Sequence, residues 1–294
     1  MKSMAIGLKQ VRLRRLNLEP YILLLPSMVY LALFFAWPMF QAFRLAFQTD
    51  DGHLTLSYLQ RMFGDAAFIK ALRTTIVLVV SIVPIQFILA LTMAILVSER
   101  LRGADLFVYI YSIPLAVSDL AAGIIWFSIF TERGYLNSLL YNLGLIQKPF
   151  LFLDYRTPWP IVGIVLAEVW RATSIVFVIL VAGLQSIPRD YIEAAEIFGA
   201  NWFQRVWKVI LPLLRPSIQT ALILRTILAV QVFAVVVAVA GRGVTVLAAE
   251  AYRWYSEYRS PHMAAAYAMF ILVISLASAF IYLRTLRVRE EMRL

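Results

Sequence analysis

The chain has 294 residues, of which 62% are hydrophobic and only 15% charged, with a mean hydropathy of +0.80 and a formal net charge of +10. Soluble domains run near half apolar and a quarter charged, so this composition excludes an ordinary soluble domain and indicates an integral membrane protein. Cysteine is absent, which excludes disulfides, thiolate metal sites and cysteine nucleophiles. The basic residues are scattered through short segments, which argues against a nucleic-acid face.

A basic N-terminus with Lys2, Lys9, Arg12, Arg14 and Arg15 precedes the first of six apolar stretches, each long enough to cross a hydrocarbon core about 30 Å thick. The expected spans are 20–44, 74–98, 106–130, 159–184, 217–240 and 262–283, within one membrane domain over 1–294. The first is too long for the core of a cleaved signal and lacks a small-residue cleavage site, so it reads as a retained helix and the mature chain as starting near Met1. Pro26 and Pro38 should bend it. Residues 48–73 read as an amphipathic outer loop with short surface helices, and 99–105 as a short inner turn. Pro114 should kink the third span. Residues 131–158, broken by Gly134, Gly144, Pro149 and Pro158, form the longest outer loop. The last outer segment, 241–261, carries an aromatic and charged run from Tyr252 to Arg259, read as an interfacial belt.

Every span must be helical, because an open strand in lipid leaves backbone groups unpaired, and no period-two pattern marks a barrel. The fold class is therefore an all-α integral membrane bundle of six transmembrane helices. With the N-terminus inside, inner segments hold 15 Lys and Arg against 9 in the outer loops, which places both termini in the cytoplasm. The polar loop 185–216 then lies inside as well.

That loop is the most informative segment. Pro188 suits the first position of a helix, Asp190 and Glu193 suit the positive end of its dipole, and Gly199 can adopt the left-handed conformation that ends it. A helix over 189–198 is expected, followed by a second, amphipathic one with Trp202, Phe203, Val206, Trp207 and Ile210 on one side, stopped by Pro212 and Pro216. Together they form an elbow on the inner membrane surface.

Glu193-Ala194-Ala195, Gly199 and Val209-Ile210-Leu211-Pro212 resemble the EAA signature of permease subunits of binding-protein-dependent ATP-binding cassette importers. The segments Glu168-Val169-Trp170-Arg171, 182–188 and 211–218 are similar to the carbohydrate-uptake branch, which includes maltose and glycerol-phosphate permeases. One departure is Gly241-Arg242-Gly243-Val244-Thr245, where that branch often has Gly-Gly-Pro followed by Thr. The resemblance implies a type I importer bundle in the cell membrane whose cytoplasmic coupling helix docks on an ATPase. Glu193, Ala194, Ala195, Gly199, Leu211 and Pro212 are the expected coupling residues. It also implies the partners: a second permease forming the other half of the pore, two ATPase subunits that bind ATP and magnesium, and an extracytoplasmic solute-binding protein. A sugar or oligosaccharide is the expected cargo, with glycerol 3-phosphate or another small polar solute as the alternative.

Neither a nucleophile with its base nor a metal cluster is visible, and His53 and His262 stand alone, so the chain is expected to be a transport subunit without catalytic residues, metal or cofactor of its own. A stand-alone secondary transporter is the alternative from another class, with Asp119 and Glu168 as its intramembrane carboxylates. Counting 1.5 Å per residue puts Gln86, Asp119, Arg171 and Gln231 near the midplane, where polar groups are costly and face a cavity or a partner. With Glu168 these are the candidate translocation-path residues, and Trp126 or Trp170 offers a stacking face. The competing structural reading pairs Glu168 with Arg171 on one helix face and uses Gln86 and Gln231 to join helices. Arg225 is expected nearer the inner end, snorkelling toward water.

Overall fold

The computed structural model describes residues 19–99 and 102–286. The basic cluster Lys2, Lys9, Arg12, Arg14 and Arg15, and Arg287 and Arg289 at the other end, lie outside the described residues. The chain divides into two units, one ending at Arg44 and one beginning at Leu45.

The first unit is helical. Helix α1 (Glu19–Leu31) leads through a π turn (Ala32–Ala36) into α2 (Trp37–Ala46), which runs on into the second unit. Within the π turn the Trp37 N–H bonds to the Ala32 carbonyl, one residue farther back than in an α-helix. The next residue is Pro38, whose ring would crowd the carbonyl four positions earlier, and the wider turn accommodates it.

The second unit begins its helices with α3 (Ser57–Gly64) and α4 (Ala66–Ser98). Asp65 caps α4 by accepting from the Ala67 N–H at 2.9 Å, so this helix starts eight residues before the expected span at 74. Its buried residues Phe68, Ala71, Thr75, Leu78, Ile82, Gln86, Ala90 and Ala94 follow helical spacing, one stripe facing the bundle. The amphipathic loop expected over 48–73 is thus partly the first turns of a long span.

The third span is broken more severely than a kink. Helix α5 (Ala104–Ser112) passes into a 3-10 turn (Ile113–Ala116) containing Pro114, and α6 (Asp119–Phe130) restarts after Ser118 caps it through the Ala121 N–H. The two arms, Ala104–Ala116 and Asp119–Asn142, meet at 97°. Helix α7 (Tyr135–Asn142) follows, and Asn137 staples the next loop by donating to the Thr131 and Phe150 carbonyls and accepting from the Phe150 N–H.

Helix α8 (Trp159–Gln185) leads to α9 (Arg189–Ile197) and α10 (Trp202–Arg205). A second π turn (Val206–Ile210) connects α10 to α11 (Leu211–Val230). Pro212 and Pro216 do not stop this helix, contrary to the sequence expectation. The π turn again sits directly before a proline, with the Leu211 N–H reaching back to the Val206 carbonyl, and Pro212 occupies the first turn of α11, where a missing N–H leaves few bonds unmade. Trp202–Val230 therefore forms a single apolar run. The run breaks at 231–233, continues as α12 (Ala234–Ala240), and is followed by α13 (Leu247–Ser256) and α14 (Pro261–Thr285). Among the described residues five helices are long and apolar enough to cross a membrane, or six when the bent pair counts as one.

The core of this unit lies between α4, α8 and α11. Ala90, Ala94, Val176, Phe177, Leu180, Leu214 and Ala221 pack at the α9 end. Leu78, Ile82, Ile164 and Ala167 pack with Val235, Val236 and Val239 of α12. Met62, Phe68, Met263, Ala266 and Tyr267 close the α13 end. There the Thr75 hydroxyl accepts from the Leu247 N–H at 3.1 Å, satisfying a free donor at the start of α13. Helices α8 and α11 pack tightly at Gly183, where an added Cβ would overlap the Ser217 side chain and crowd Leu214. Gly183→Ala should cost about 1 to 3 kcal/mol by overpacking. Thermal unfolding of detergent-purified protein tests this, and Gly183→Ala combined with Ser217→Ala should recover part of the loss.

Candidate functional site

Two regions gather the sequence-derived candidates. The first is the α9 elbow. Helix α9 follows Pro188, and Glu193 and Ala194 are exposed on it while Ala195 is half-buried. Gly199 ends it with φ +76°, donating to the Glu196 carbonyl while the Ala200 N–H reaches the Ala195 carbonyl, both at 2.9 Å. A left-handed residue there lets the chain reverse and satisfies two carbonyls of the last turn. Asn201 and Gln204 cap α10 reciprocally, the Gln204 N–H to Asn201 Oδ1 at 2.9 Å and the Asn201 N–H to Gln204 Oε1 at 3.0 Å.

The elbow is braced at two points. Glu196 and Arg205 form an ion pair between α9 and α10, and the Trp202 indole N–H donates to Glu99 Oε1 at 3.0 Å, tying α10 to the end of α4. Leu211 and Pro212, half-buried, sit at the start of α11, separated from α9 by α10 and the π turn. Ile197 and Phe198, by contrast, are 84% and 89% exposed at the tip. A cavity of about 680 Å³ lies behind α9, lined by Val97, Ser98, Gly103, Asp105, Leu184, Arg189 and Ile192, among others.

The second region is a charged cluster deep in the bundle. Arg225 on α11 is 1% exposed, and its guanidinium donates to Glu168 Oε2 on α8 at 2.6 Å and, through Nε, to Gln86 Oε1 on α4. Gln86 in turn donates to the Glu168 backbone carbonyl at 2.7 Å, so one side chain links three helices. Arg171, one turn beyond Glu168, stands 3.5 Å from its Oε1 and forms a closer pair with Asp119, the first residue of α6, at 2.9 Å. Two acids and two bases balance within the cluster. In a low-dielectric interior a buried charge persists only when paired and hydrogen-bonded, and every member here has such a partner.

Arg225 therefore does not snorkel. The expectation counted its depth from Ser217, whereas the helix begins at Leu211, which moves Arg225 to about 21 Å from the start. Asp119 also changes its justification: the 97° break invalidates a straight count along the third span, and its depth is set by Arg171, to which it is paired. Gln231 does not join the cluster. It is exposed at the break between α11 and α12. Trp126 and Trp170 meet edge to face with ring centres 6.4 Å apart, on α6 and α8, the helices that carry Asp119 and Arg171. His262, which stood alone in the sequence, bonds the Leu45 carbonyl and Asp50 and stacks on Tyr58.

Residues 86–287 match the sequence profile of the binding-protein-dependent transport system inner membrane component family. The chain belongs to that family. The permease is 29% identical over 232 residues to the sn-glycerol-3-phosphate transport system permease protein UgpA of Agrobacterium fabrum, covering 76% of this chain and 78% of that one. It is also 29% identical over 284 residues to the trehalose/maltose transport system permease protein MalF of Thermococcus litoralis, covering 92% and 94%. In fold it matches a chain of a bacterial alginate ABC transporter, solved with a periplasmic protein holding an alginate pentasaccharide, with a TM-score of 0.77 over 92% of this chain and 94% of that one at 21% identity.

The permease keeps both regions within the matched residues. What sequence reasoning missed is Arg225 as the centre of the cluster. The signal was present: one acid in α8 and one base in α11, on two spans flanking the same short loop, are brought side by side by an antiparallel hairpin. The Trp202–Glu99 and Glu196–Arg205 braces carried no comparable signal, because their partners' separation depends on how the elbow folds.

Proposed function

We propose that the permease forms half of a translocation pore for a carbohydrate, takes its cargo from an extracytoplasmic binding protein, and is driven by ATPase subunits that dock on α9 from the cytoplasm. The observation that carries this reading is the shared framework of the two regions. Helix α8 leads into α9, and α10 with the π turn leads into α11, while the same α8 and α11 hold the Glu168–Arg225 pair at mid-depth. A rigid-body movement of α9 thus passes into the helices that carry the polar cluster, as an alternating-access switch requires. The apolar tip, Ile197 and Phe198, gains by being covered in a partner's groove. The excess of Lys and Arg in the α9-side segments supports a cytoplasmic elbow and cytoplasmic termini.

Within the path, Asp119, Arg171, Trp126 and Trp170 line the α6–α8 seam and offer hydrogen-bonding groups beside aromatic edges, the chemistry that a polyhydroxylated ring needs. Carbohydrate cargo is further supported by the trehalose/maltose system of one relative. Solubilisation from the native membrane in mild detergent, followed by mass spectrometry of the co-purifying chains, tests the assembly. An ATPase and a second permease are the expected finds; a lone homodimer transporting in liposomes without ATP would overturn the reading.

A further inference from the structure

We infer that the permease's path selects uncharged sugars and disfavours phosphorylated or uronate cargo, because the charge its mid-depth cluster turns outward is the carboxylate of Asp119. This rests on the reading of the α6–α8 seam as part of a carbohydrate path and narrows the class of cargo that path admits.

The cluster has four charged groups, Asp119, Glu168, Arg171 and Arg225, and carries no net charge. Its charges are not equally presented. The two guanidinium side chains are 11% and 2% exposed, for Arg171 and Arg225, and the Glu168 side chain is 1% exposed, whereas that of Asp119 is 51% exposed. A solute moving along this seam therefore meets a carboxylate, with the compensating cations behind it. A carboxylate at this depth does not face hydrocarbon, since an ionised group there is strongly disfavoured, and a water-filled path accounts for its exposure. In such a path, flanked by low-dielectric walls, like-charge repulsion is far stronger than in bulk water.

The same groups suit a neutral polyol. The exposed carboxylate of Asp119, held in place by Arg171, offers acceptor oxygens to neighbouring hydroxyls. Trp126 lies seven residues, or about 10 Å, along α6 from Asp119 on the same face, and Trp170 is 38% exposed next to Arg171. Carboxylate and indole thus lie about 10 Å apart along one face, the length of a short oligosaccharide.

Saturation-transfer NMR on the detergent-purified membrane complex, with binding protein left out, reads the path's own preference. The probes are maltose, trehalose and raffinose against sn-glycerol 3-phosphate, galacturonate and an alginate trisaccharide. Wild type should bind at least one neutral sugar about tenfold more tightly than every anion. Asp119→Asn should raise the anion-to-neutral affinity ratio about tenfold, and Asp119→Glu should keep the wild-type ratio. Wild-type binding of an anion as tightly as of the neutral sugars overturns the inference while leaving a carbohydrate path in place. A ratio unmoved by Asp119→Asn also overturns it; a simultaneous loss of complex yield would then identify Asp119 as a subunit contact. Binding of none of the probes by wild type, whose assembly is verified by its co-purifying ATPase, overturns the carbohydrate reading itself and the inference with it.

Discussion

Arg225→Met is expected to destabilise the permease by about 3 to 5 kcal/mol. The loss exceeds the worth of the ion pair, because Glu168 would be left ionised and 1% exposed with Arg171 only at 3.5 Å, and Gln86 would lose the donor to its Oε1. Glu168→Gln should also be costly, since the amide still accepts from Arg225 but leaves its 2%-exposed guanidinium without a counter-charge. Combining Arg225→Met with Glu168→Leu should restore much of the stability, because a buried pair replaced by apolar side chains of similar volume is often neutral or stabilising. Denaturant titration in detergent of wild type, Arg225→Met, Glu168→Leu and their combination closes this double-mutant cycle. Equal losses for the double and single variants would show that the pair contributes through some other contact. Transport should not return with stability in the double variant, because the α8–α11 link that passes elbow movement inward is gone.

Reversing Glu193 to lysine is expected to lower transport and substrate-stimulated ATP hydrolysis by about a hundredfold while leaving membrane insertion intact. Glu193 is exposed on α9, so the folded permease does not need it, and the effect falls on the docked partner, where a reversed charge costs several kcal/mol. Gly199 allows a graded version of the same test. Open space surrounds its Cβ position, so the barrier to substitution is the backbone angle of +76° alone. Gly199→Ala should cost about 1 to 2 kcal/mol of elbow stability and reduce transport partially. Gly199→Pro cannot adopt that angle and removes the N–H that reaches Glu196, so it should abolish coupling. Full uptake with Glu193→Lys or Gly199→Pro would remove α9 from the coupling role.

Both regions respond to distinct probes because they fail differently. A cluster variant should unfold more easily and transport less; Glu193→Lys should unfold normally and transport less. The separation follows from burial: Arg225 and Glu168 are enclosed by three helices, whereas Glu193 and Gly199 touch little of their own chain.

Much of this was legible in the amino-acid order. Composition and apolar runs established a helical membrane bundle, because lipid admits few other ways to pair a backbone. The elbow was visible because proline, glycine and capping residues act locally, and helix α9 with its left-handed Gly199 depends on nothing distant. The midplane candidates announced themselves as polar groups in apolar spans. Where local rules met tertiary context they failed. Two prolines expected to end a helix are carried through it, Pro212 behind a π turn and Pro216 within α11, and a span expected to kink at Pro114 turns by 97°. The partnership of Gln86, Glu168 and Arg225 across 139 residues of chain, and the exposure of Asp119, were decided only by packing, because which charge is enclosed and which stays exposed depends on how four helices meet.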